Sequence, residues 1–98
     1  MSVMMIRAEV NPEHVGKVEA AAEIMFAAIK EVQPKGVRYT SLRVSEGSTF
    51  VILLELEGAD NSLRAIPAVR SFQEDLQGWL AAPPVSEKLT IVGEYRSF

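Results

Sequence analysis

The sequence predicts one α+β domain whose elements follow the order β-α-β-β-α-β. Two stretches repeat apolar residues at a spacing of three and four, which is typical of amphipathic helices. Four shorter stretches rich in β-forming residues surround them. The 98 residues of the chain suffice for one domain with a modest core. We therefore expect a single domain over residues 1–98.

The third predicted strand, Thr49–Glu57, is the most hydrophobic stretch of the chain. It contains five consecutive apolar residues, from Phe50 to Leu54. A strand with one face in water alternates apolar and polar residues, whereas this one does not. The pattern predicts a central strand that is covered on both faces. Helices of the same chain can cover one face, and a second copy of the chain is the simplest cover for the other.

The first predicted strand, Val3–Val10, does alternate. Its cleanly apolar set should face the helices and consists of Met4, Ile6, Ala8 and Val10. Its other set includes two charged residues, Arg7 and Glu9, so that face is expected to be more polar near the strand's end.

The first helix is predicted to begin at Asn11-Pro12-Glu13 and to end near Gln33. Asn11 is a capping residue type, and proline suits the first helical position. Pro34-Lys35-Gly36 stops the helix. The apolar stripe between them consists of Val15, Val18, Ala22, Met25, Phe26, Ile29 and Val32.

The second and third strands, Val37–Val44 and Thr49–Glu57, form a predicted hairpin whose register the sequence leaves open. A four-residue turn, Ser45–Ser48, sets Arg38 opposite Glu55, whereas a one-residue bulge brings Tyr39 opposite Glu55. We prefer the four-residue turn because it pairs opposite charges across the strands.

A connection at 58–62 and a short turn at Leu63–Ile66 lead to the second predicted helix, with Pro67 in its first turn. Its apolar stripe consists of Val69, Phe72, Leu76, Trp79 and Leu80, and its outer face carries Arg70, Gln73, Glu74 and Gln77. Pro83-Pro84 stops the helix and favours an extended run into the last predicted strand, Lys88–Tyr95.

This element order is the ferredoxin-like split βαβ pattern. It implies an antiparallel four-stranded sheet of order 4-1-3-2 with both helices on one face. The first and third strands are then central, which agrees with the two-sided hydrophobicity of Thr49–Glu57.

Composition and motifs exclude several classes of function. The net charge of −3 and the scattered lysines and arginines argue against nucleic acid and anionic membranes as partners. The absence of cysteine excludes disulfides and thiolate chemistry. No glycine-rich phosphate loop or metal-ligand spacing occurs, so we expect no metal and no cofactor. No signal-peptide pattern or long apolar run is present, so a cytoplasmic protein is expected.

The chain resembles the dimeric α/β-barrel superfamily, and within it the small antibiotic-biosynthesis-monooxygenase-like proteins. The matching features are the strand-to-helix entry VMMIRAEVNPEHV, the junction Pro34–Tyr39, the strand FVILLELE and the helix start Pro67–Phe72. The resemblance implies a homodimer in which two sheets pack face to face as a dimeric α/β barrel. It also implies a ligand cavity between the helices and the sheet of one subunit.

Members of this superfamily with known activity include oxygenases that need no cofactor and act on quinol-like or anthrone-like substrates, haem-degrading oxygenases, and isomerase- or dehalogenase-like enzymes. The haem-degrading branch uses a histidine on the second helix, which this chain lacks. We therefore do not expect haem degradation.

Six residues are candidates for a site. His14 is the sole histidine and a candidate base. Tyr39 carries a strand phenol that can donate a hydrogen bond, and Arg38 can stabilise developing negative charge. The alternative for the strand arginines is cross-strand pairing with glutamates. The predicted planar-substrate pocket is lined by Phe26, Phe72 and Trp79, the last because the resemblance implies a tryptophan of the second helix at the cavity.

Two functions follow. The first is a homodimeric monooxygenase-like enzyme that needs no cofactor and acts on a small planar phenol or quinol. The second is a non-catalytic ligand-binding or structural homodimer that uses the same apolar pocket. A polar group placed beside that pocket distinguishes the first from the second.

Overall fold

The computed structural model describes residues 2–45, 47–57 and 62–95. Glu46 of the hairpin turn and most of the predicted connection at 58–62 lie outside the described residues. The strands are β1 (Ser2–Glu9), β2 (Val37–Arg43), β3 (Thr49–Leu56) and β4 (Val85–Leu89). The helices are α1 (Val15–Val32) and α2 (Pro67–Gln77), and each follows a short 3-10 turn, at Pro12–His14 and Ser62–Ala65.

The strands form one antiparallel sheet of order β2-β3-β1-β4. Read from the other edge, this is the predicted order 4-1-3-2. The α+β fold with the ferredoxin-like element order is thus confirmed. β3 lies between β1 and β2, as its run of apolar residues predicted.

The hairpin adopts the predicted register with the four-residue turn. Arg38 pairs with Glu55 in the β2–β3 ladder, and Arg38 Nη1 lies 3.9 Å from Glu55 Oε2. The Val44 N–H donates to the Thr49 carbonyl at 2.9 Å, which closes the ladder at the turn. This register places Tyr39 on the same side of the sheet as the buried Ile52.

The core lies between the helices and one face of the sheet. Ala8 and Val10 of the predicted apolar set are each 1% exposed. Phe50 and Ile52 of β3 lie on the same side and are buried. The other buried residues are Val18, Met25, Leu63, Ile66, Val69 and Phe72. The predicted inward face of β1 is therefore confirmed, and β3 turns Phe50 and Ile52 to the same side.

Helix α1 begins and ends close to the predicted positions, but its caps differ from those expected. Pro12 opens a 3-10 turn, and the Asn11 carbonyl accepts from the His14 N–H at 2.8 Å, while the Asn11 side chain makes no capping bond. At the other end Gln33, with φ of 50°, takes the left-handed conformation that usually favours glycine. Gly36 then takes a second positive φ, 71°, as the chain enters β2.

The placement of Trp79 on the second helix was wrong. Helix α2 ends at Gln77, and the Trp79 N–H donates to the Leu76 carbonyl at 2.9 Å in a tightened last turn. The next residues pair with the end of β1: Leu80 bridges Val10, and the Trp79 carbonyl accepts from the Asn11 N–H. This pairing draws the chain out of the helix, directly after the weak helix former Gly78.

The prediction of the last strand was also wrong in its bounds. β4 is Val85–Leu89 instead of Lys88–Tyr95, and its last pair is Leu89 with Val3 near the start of β1. Residues 90–95 form no ladder, because Leu89 already pairs near the start of β1. They keep a β-forming composition, which explains why the sequence pattern extended the strand too far.

The face of the sheet away from the helices, here called the open face, carries many apolar side chains. The ladder registers place Val3, Met5, Leu42, Val51, Leu53, Val85 and Leu89 on it. Residues 89–94 cross part of this face and border a groove of about 490 Å³ with Val3, Thr40 and Leu53. Val92 in that segment is 99% exposed, so its apolar side chain contacts almost nothing in the chain itself.

Candidate functional site

A cavity of about 260 Å³, here called the α2 cavity, lies between α2 and the helix-side face of the sheet. Its lining crosses all four strands, from Tyr39 on β2 to Ser86 on β4. Most of the lining is apolar: Ile6, Ala8, Ile52, Leu54, Leu63, Val69, Phe72, Leu76, Leu80 and Pro84. Such a lining offers water few hydrogen-bond partners and suits a hydrophobic ligand.

The polar groups of the α2 cavity are few and lie mainly on its exposed side. Gln73 and Gln77 project from the same side of α2 because they are four residues apart. Arg64 precedes α2, and Ser86 lies on β4; all four residues are exposed. The mouth of the cavity is thus polar, and its interior is apolar.

Tyr39 is the phenol of the α2 cavity, and the hairpin register places it there. Its ring packs edge-on against Phe26 of α1, with ring centroids 5.1 Å apart and an interplanar angle of 77°. Burial raises the pKa of Tyr39 above its ordinary value of 10.0, because desolvation disfavours the phenolate. The hydroxyl therefore stays protonated at neutral pH and is available as a hydrogen-bond donor.

The raised pKa of Tyr39 predicts a loss of stability at alkaline pH. The folded state holds the phenolic proton more tightly than the unfolded state, so stability is lost as the pH rises above the unfolded value of 10.0. We expect the free energy of unfolding in urea to fall between about pH 9 and about pH 11 more steeply for the wild type than for Tyr39→Phe. Equal slopes for the two proteins would contradict this assignment.

The three aromatic residues predicted to line one pocket are only partly brought together. Phe72 lines the α2 cavity directly. Phe26 does not line it, but contacts the ring of Tyr39 and borders a separate cleft beside α1. Trp79 is half-buried and packs against the core cluster, outside the lining of the α2 cavity. The backbone of Trp79, rather than its ring, ties the end of α2 to Asn11.

His14 lies away from the α2 cavity, in the 3-10 turn before α1. Its side chain is 22% exposed, and its Nε2 lies 3.6 Å from Glu13 Oε1. Its Nδ1 is buried and has no hydrogen-bond partner among the described residues. The structure therefore does not bring His14 next to Tyr39.

Arg38 lies on the open face, on the opposite side of the sheet from its neighbour Tyr39. It pairs with Glu55 and borders a small cleft that also contains Glu57 and Glu94. Arg38 therefore makes the cross-strand pair with a glutamate that was the predicted alternative to a catalytic role. Because successive strand residues point to opposite faces, Arg38 and Tyr39 cannot act together within one cavity.

Sequence reasoning did not single out Arg64, Gln73 or Gln77 as site residues. Gln73 and Gln77 were predicted on the outer face of α2, and they are indeed exposed. They nevertheless border the cavity, because α2 presents one edge of its polar face to the mouth. The four-residue spacing of two glutamines beside an apolar stripe is the signal that could have identified them.

Within the described ranges 2–45, 47–57 and 62–95, no group of three or more His, Asp or Glu side chains is placed so that it could hold a metal ion. In the same ranges, neither helix has the length and apolar character that crossing a bilayer requires.

Comparison with solved structures shows that the α+β fold is shared with proteins named as antibiotic biosynthesis monooxygenases. A protein from Nitrosomonas europaea named "putative antibiotic biosynthesis monooxygenase" superposes with a TM-score of 0.80 at 13% identity, over 95% of this chain and 100% of its own. Rv0793 from Mycobacterium tuberculosis gives a TM-score of 0.74 at 16% identity, over 95% and 96% of the two chains.

A third solved structure, from Caulobacter crescentus and also named as a putative antibiotic biosynthesis monooxygenase, gives a TM-score of 0.71 at 20% identity. It covers 94% of this chain and 90% of its own. No protein-family model matches the sequence, and no curated protein is significantly similar to it. At these identities the likeness establishes the shared fold, which the resemblance in sequence had implied.

Proposed function

We propose that the protein is a monooxygenase-like enzyme that oxidises a small phenolic or quinol-type aromatic in the α2 cavity without a cofactor. The observation that supports the proposal is the phenol of Tyr39 in a cavity whose interior is apolar and whose other polar residues lie at the mouth. The names of the structural neighbours are consistent with this class of activity.

In the proposed reaction the substrate supplies all the electrons. A phenol loses its hydroxyl proton to solvent, and the electron-rich ring reacts with O₂. One oxygen atom enters the ring as a carbonyl. The other leaves as water, which takes up the displaced ring hydrogen as a proton and regains from solvent the proton released at the start, so that phenol and O₂ give quinone and water. Tyr39 donates a hydrogen bond to the substrate oxyanion, and the apolar walls hold the ring flat and exclude water.

Of the other candidate residues, only the two phenylalanines have a role in the proposed reaction. Phe72 packs against the substrate ring, and Phe26 fixes the orientation of Tyr39 through its edge-on contact. Because Trp79, His14 and Arg38 lie outside the cavity lining, the proposal gives them no direct contact with the substrate.

Oxygen uptake with a panel of hydroquinones, naphthols and anthrones tests the proposal. We expect the wild type to turn over at least one of them and Tyr39→Phe to lose about a hundredfold in kcat/KM, the effect of removing one oxyanion donor. The matched control, Tyr95→Phe, changes a tyrosine that is 86% exposed and should leave kcat/KM unchanged. With ¹⁸O₂ the product should gain one labelled atom. Full activity of Tyr39→Phe would contradict the proposed role.

The second candidate function is a ligand-binding module without catalysis. It is favoured by one feature of the α2 cavity: its described lining contains no histidine and no carboxylate that could accept a proton. Binding of aromatic ligands together with no oxygen uptake across the panel would establish this alternative.

We also propose that two copies of the chain pair through the open face as a dimeric α/β barrel. The apolar side chains of that face form a patch of the kind that marks an interaction site. Residues 90–95 add exposed β-forming side chains, including Val92 and Tyr95, that a second sheet would cover. Because a homodimer presents the same face twice, apolar side chains meet apolar side chains.

A further inference from the structure

The mouth of the α2 cavity carries one positive charge that no carboxylate of the described lining neutralises. Arg64 is the cationic residue of the described lining, and no Asp or Glu occurs in that lining. None of the ion pairs found among the described residues involves Arg64. Although the chain has a net charge of −3, the described lining of this cavity therefore presents one positive charge and no carboxylate.

Two other clefts contain carboxylates, whereas the cleft beside α1 resembles the α2 cavity in having one cationic residue, Lys30, and no Asp or Glu in its described lining. The cleft between α1 and β2 contains Glu19 and Glu23 beside its basic residues, and Arg43 there is held by Glu19 at 2.8 Å. The small cleft at the end of the hairpin contains three glutamates around Arg38. An anionic ligand would meet carboxylates in both of these clefts, but it meets none in the lining of the α2 cavity.

The size of the α2 cavity limits the ligand. Its volume of about 260 Å³ lies below the range of roughly 300–1,000 Å³ typical of sites for drug-sized ligands. An apolar cavity of about 150 Å³ is enough to hold benzene. The α2 cavity therefore fits one or two fused rings more readily than three.

We infer that the ligand of the α2 cavity is a one- or two-ring aromatic acid whose carboxylate pairs with Arg64 at the mouth while its rings lie against Phe72. The inference rests on the proposed function, since it assigns a substrate class to the same cavity. Gln73 and Gln77 flank the mouth and supply amide N–H donors to the same anionic group. An arginine can hold a carboxylate with two parallel hydrogen bonds, which orients the rings toward Tyr39.

Calorimetric titration with 2-naphthoate and its neutral isostere 2-naphthamide tests the inference. We expect the wild type to bind naphthoate about tenfold more tightly than naphthamide, the difference of one charge-assisted contact. Arg64→Gln should abolish this preference and leave the affinity for naphthamide unchanged. Arg70→Gln is the matched control, because Arg70 is an exposed arginine on α2 outside the cavity lining. It should bind both ligands like the wild type.

A second titration tests the size limit. Anthracene-2-carboxylate should bind at least tenfold more weakly than naphthoate, because a third ring exceeds the volume. Equal affinity of the wild type for naphthoate and naphthamide, or an equal loss of both in Arg64→Gln, would overturn the inference. Oxygen uptake with neutral naphthols tests the proposed function independently of these titrations. If the titrations overturn the inference but oxygen uptake is observed, the inference fails while the proposed function stands. If no naphthalene ligand binds, the inference fails, and oxygen uptake decides the proposed function.

Discussion

Leu53→Arg is expected to convert the protein from a dimer to a monomer. Leu53 lies on the central strand β3, where its neighbours in the ladder are Met5 of β1 and Thr40 of β2. In the proposed dimer this position is near the middle of the interface, and an unpaired guanidinium there would have to be buried without a partner. The free-energy cost of burying this charge exceeds the free energy that the apolar interface gains on association, so the equilibrium shifts to monomers.

Light scattering after size exclusion measures the outcome. The wild type should give twice the chain mass of 10.8 kDa, and Leu53→Arg should give the single chain mass. Ile24→Arg is the matched control, because Ile24 is an exposed aliphatic residue of α1, 70% exposed and distant from the open face. It should remain dimeric. A monomeric wild type, or a dimeric Leu53→Arg protein with native circular dichroism, would contradict the proposed assembly.

Met25→Ala is expected to destabilise the fold by about 2–5 kcal/mol, the usual range for a buried methionine cut back to alanine. Met25 lies on the inner face of α1, is 1% exposed and belongs to the cluster that joins α1 to β3 and α2. Truncation leaves a cavity that the surrounding strands cannot close. For a domain with a total stability of about 5–15 kcal/mol, this loss is a large fraction.

Urea unfolding at a fixed protein concentration provides the measurement, since dimerisation makes the apparent stability depend on concentration. The control is the adjacent residue: Ile24→Ala removes a similar number of atoms from an exposed side chain and should change the free energy of unfolding by no more than about 0.5 kcal/mol. Similar losses for the two variants would mean that the burial of Met25 does not determine the stability of α1.

Periodicity and charge pairing were sufficient to predict much of this fold. The alternation in β1 identified the inward set that includes Ala8 and Val10, and the pairing of Arg38 with Glu55 selected the correct hairpin register. The register was the decisive step for the site. A one-residue shift of β2 would have turned Tyr39 to the open face and left the α2 cavity without its phenol.

The errors arose where long-range pairing decided the local structure. Trp79 continues the helical spacing of α2, but the bridge of Leu80 to Val10 and the bond from Asn11 draw the chain into the sheet first. β4 ends at Leu89 because its partner strand begins near Val3, although the residues beyond keep β-forming character. Neither constraint is visible in the local sequence.

The site itself could be predicted only in part. Phe72 lines the cavity as its place in the apolar stripe implied. The sequence did not predict Arg64 as a site residue, because a single arginine in a short turn belongs to no recognisable motif or periodicity. Its proposed role depends on the lack of Asp and Glu in the described lining of the α2 cavity, and only the three-dimensional structure defines that lining.

The location of a bound aromatic ligand tests the central claim most directly. Leu53 and Leu54 are neighbours on β3 whose side chains lie on opposite faces of the sheet, and Leu76 of α2 lines the cavity. With ¹³C-methyl-labelled leucine and 2-naphthol as the ligand, we predict nuclear Overhauser effects from the ring protons to the methyl groups of Leu54 and Leu76. Effects confined to Leu53 and Leu89 would place the ligand on the open face and contradict the assignment of the α2 cavity.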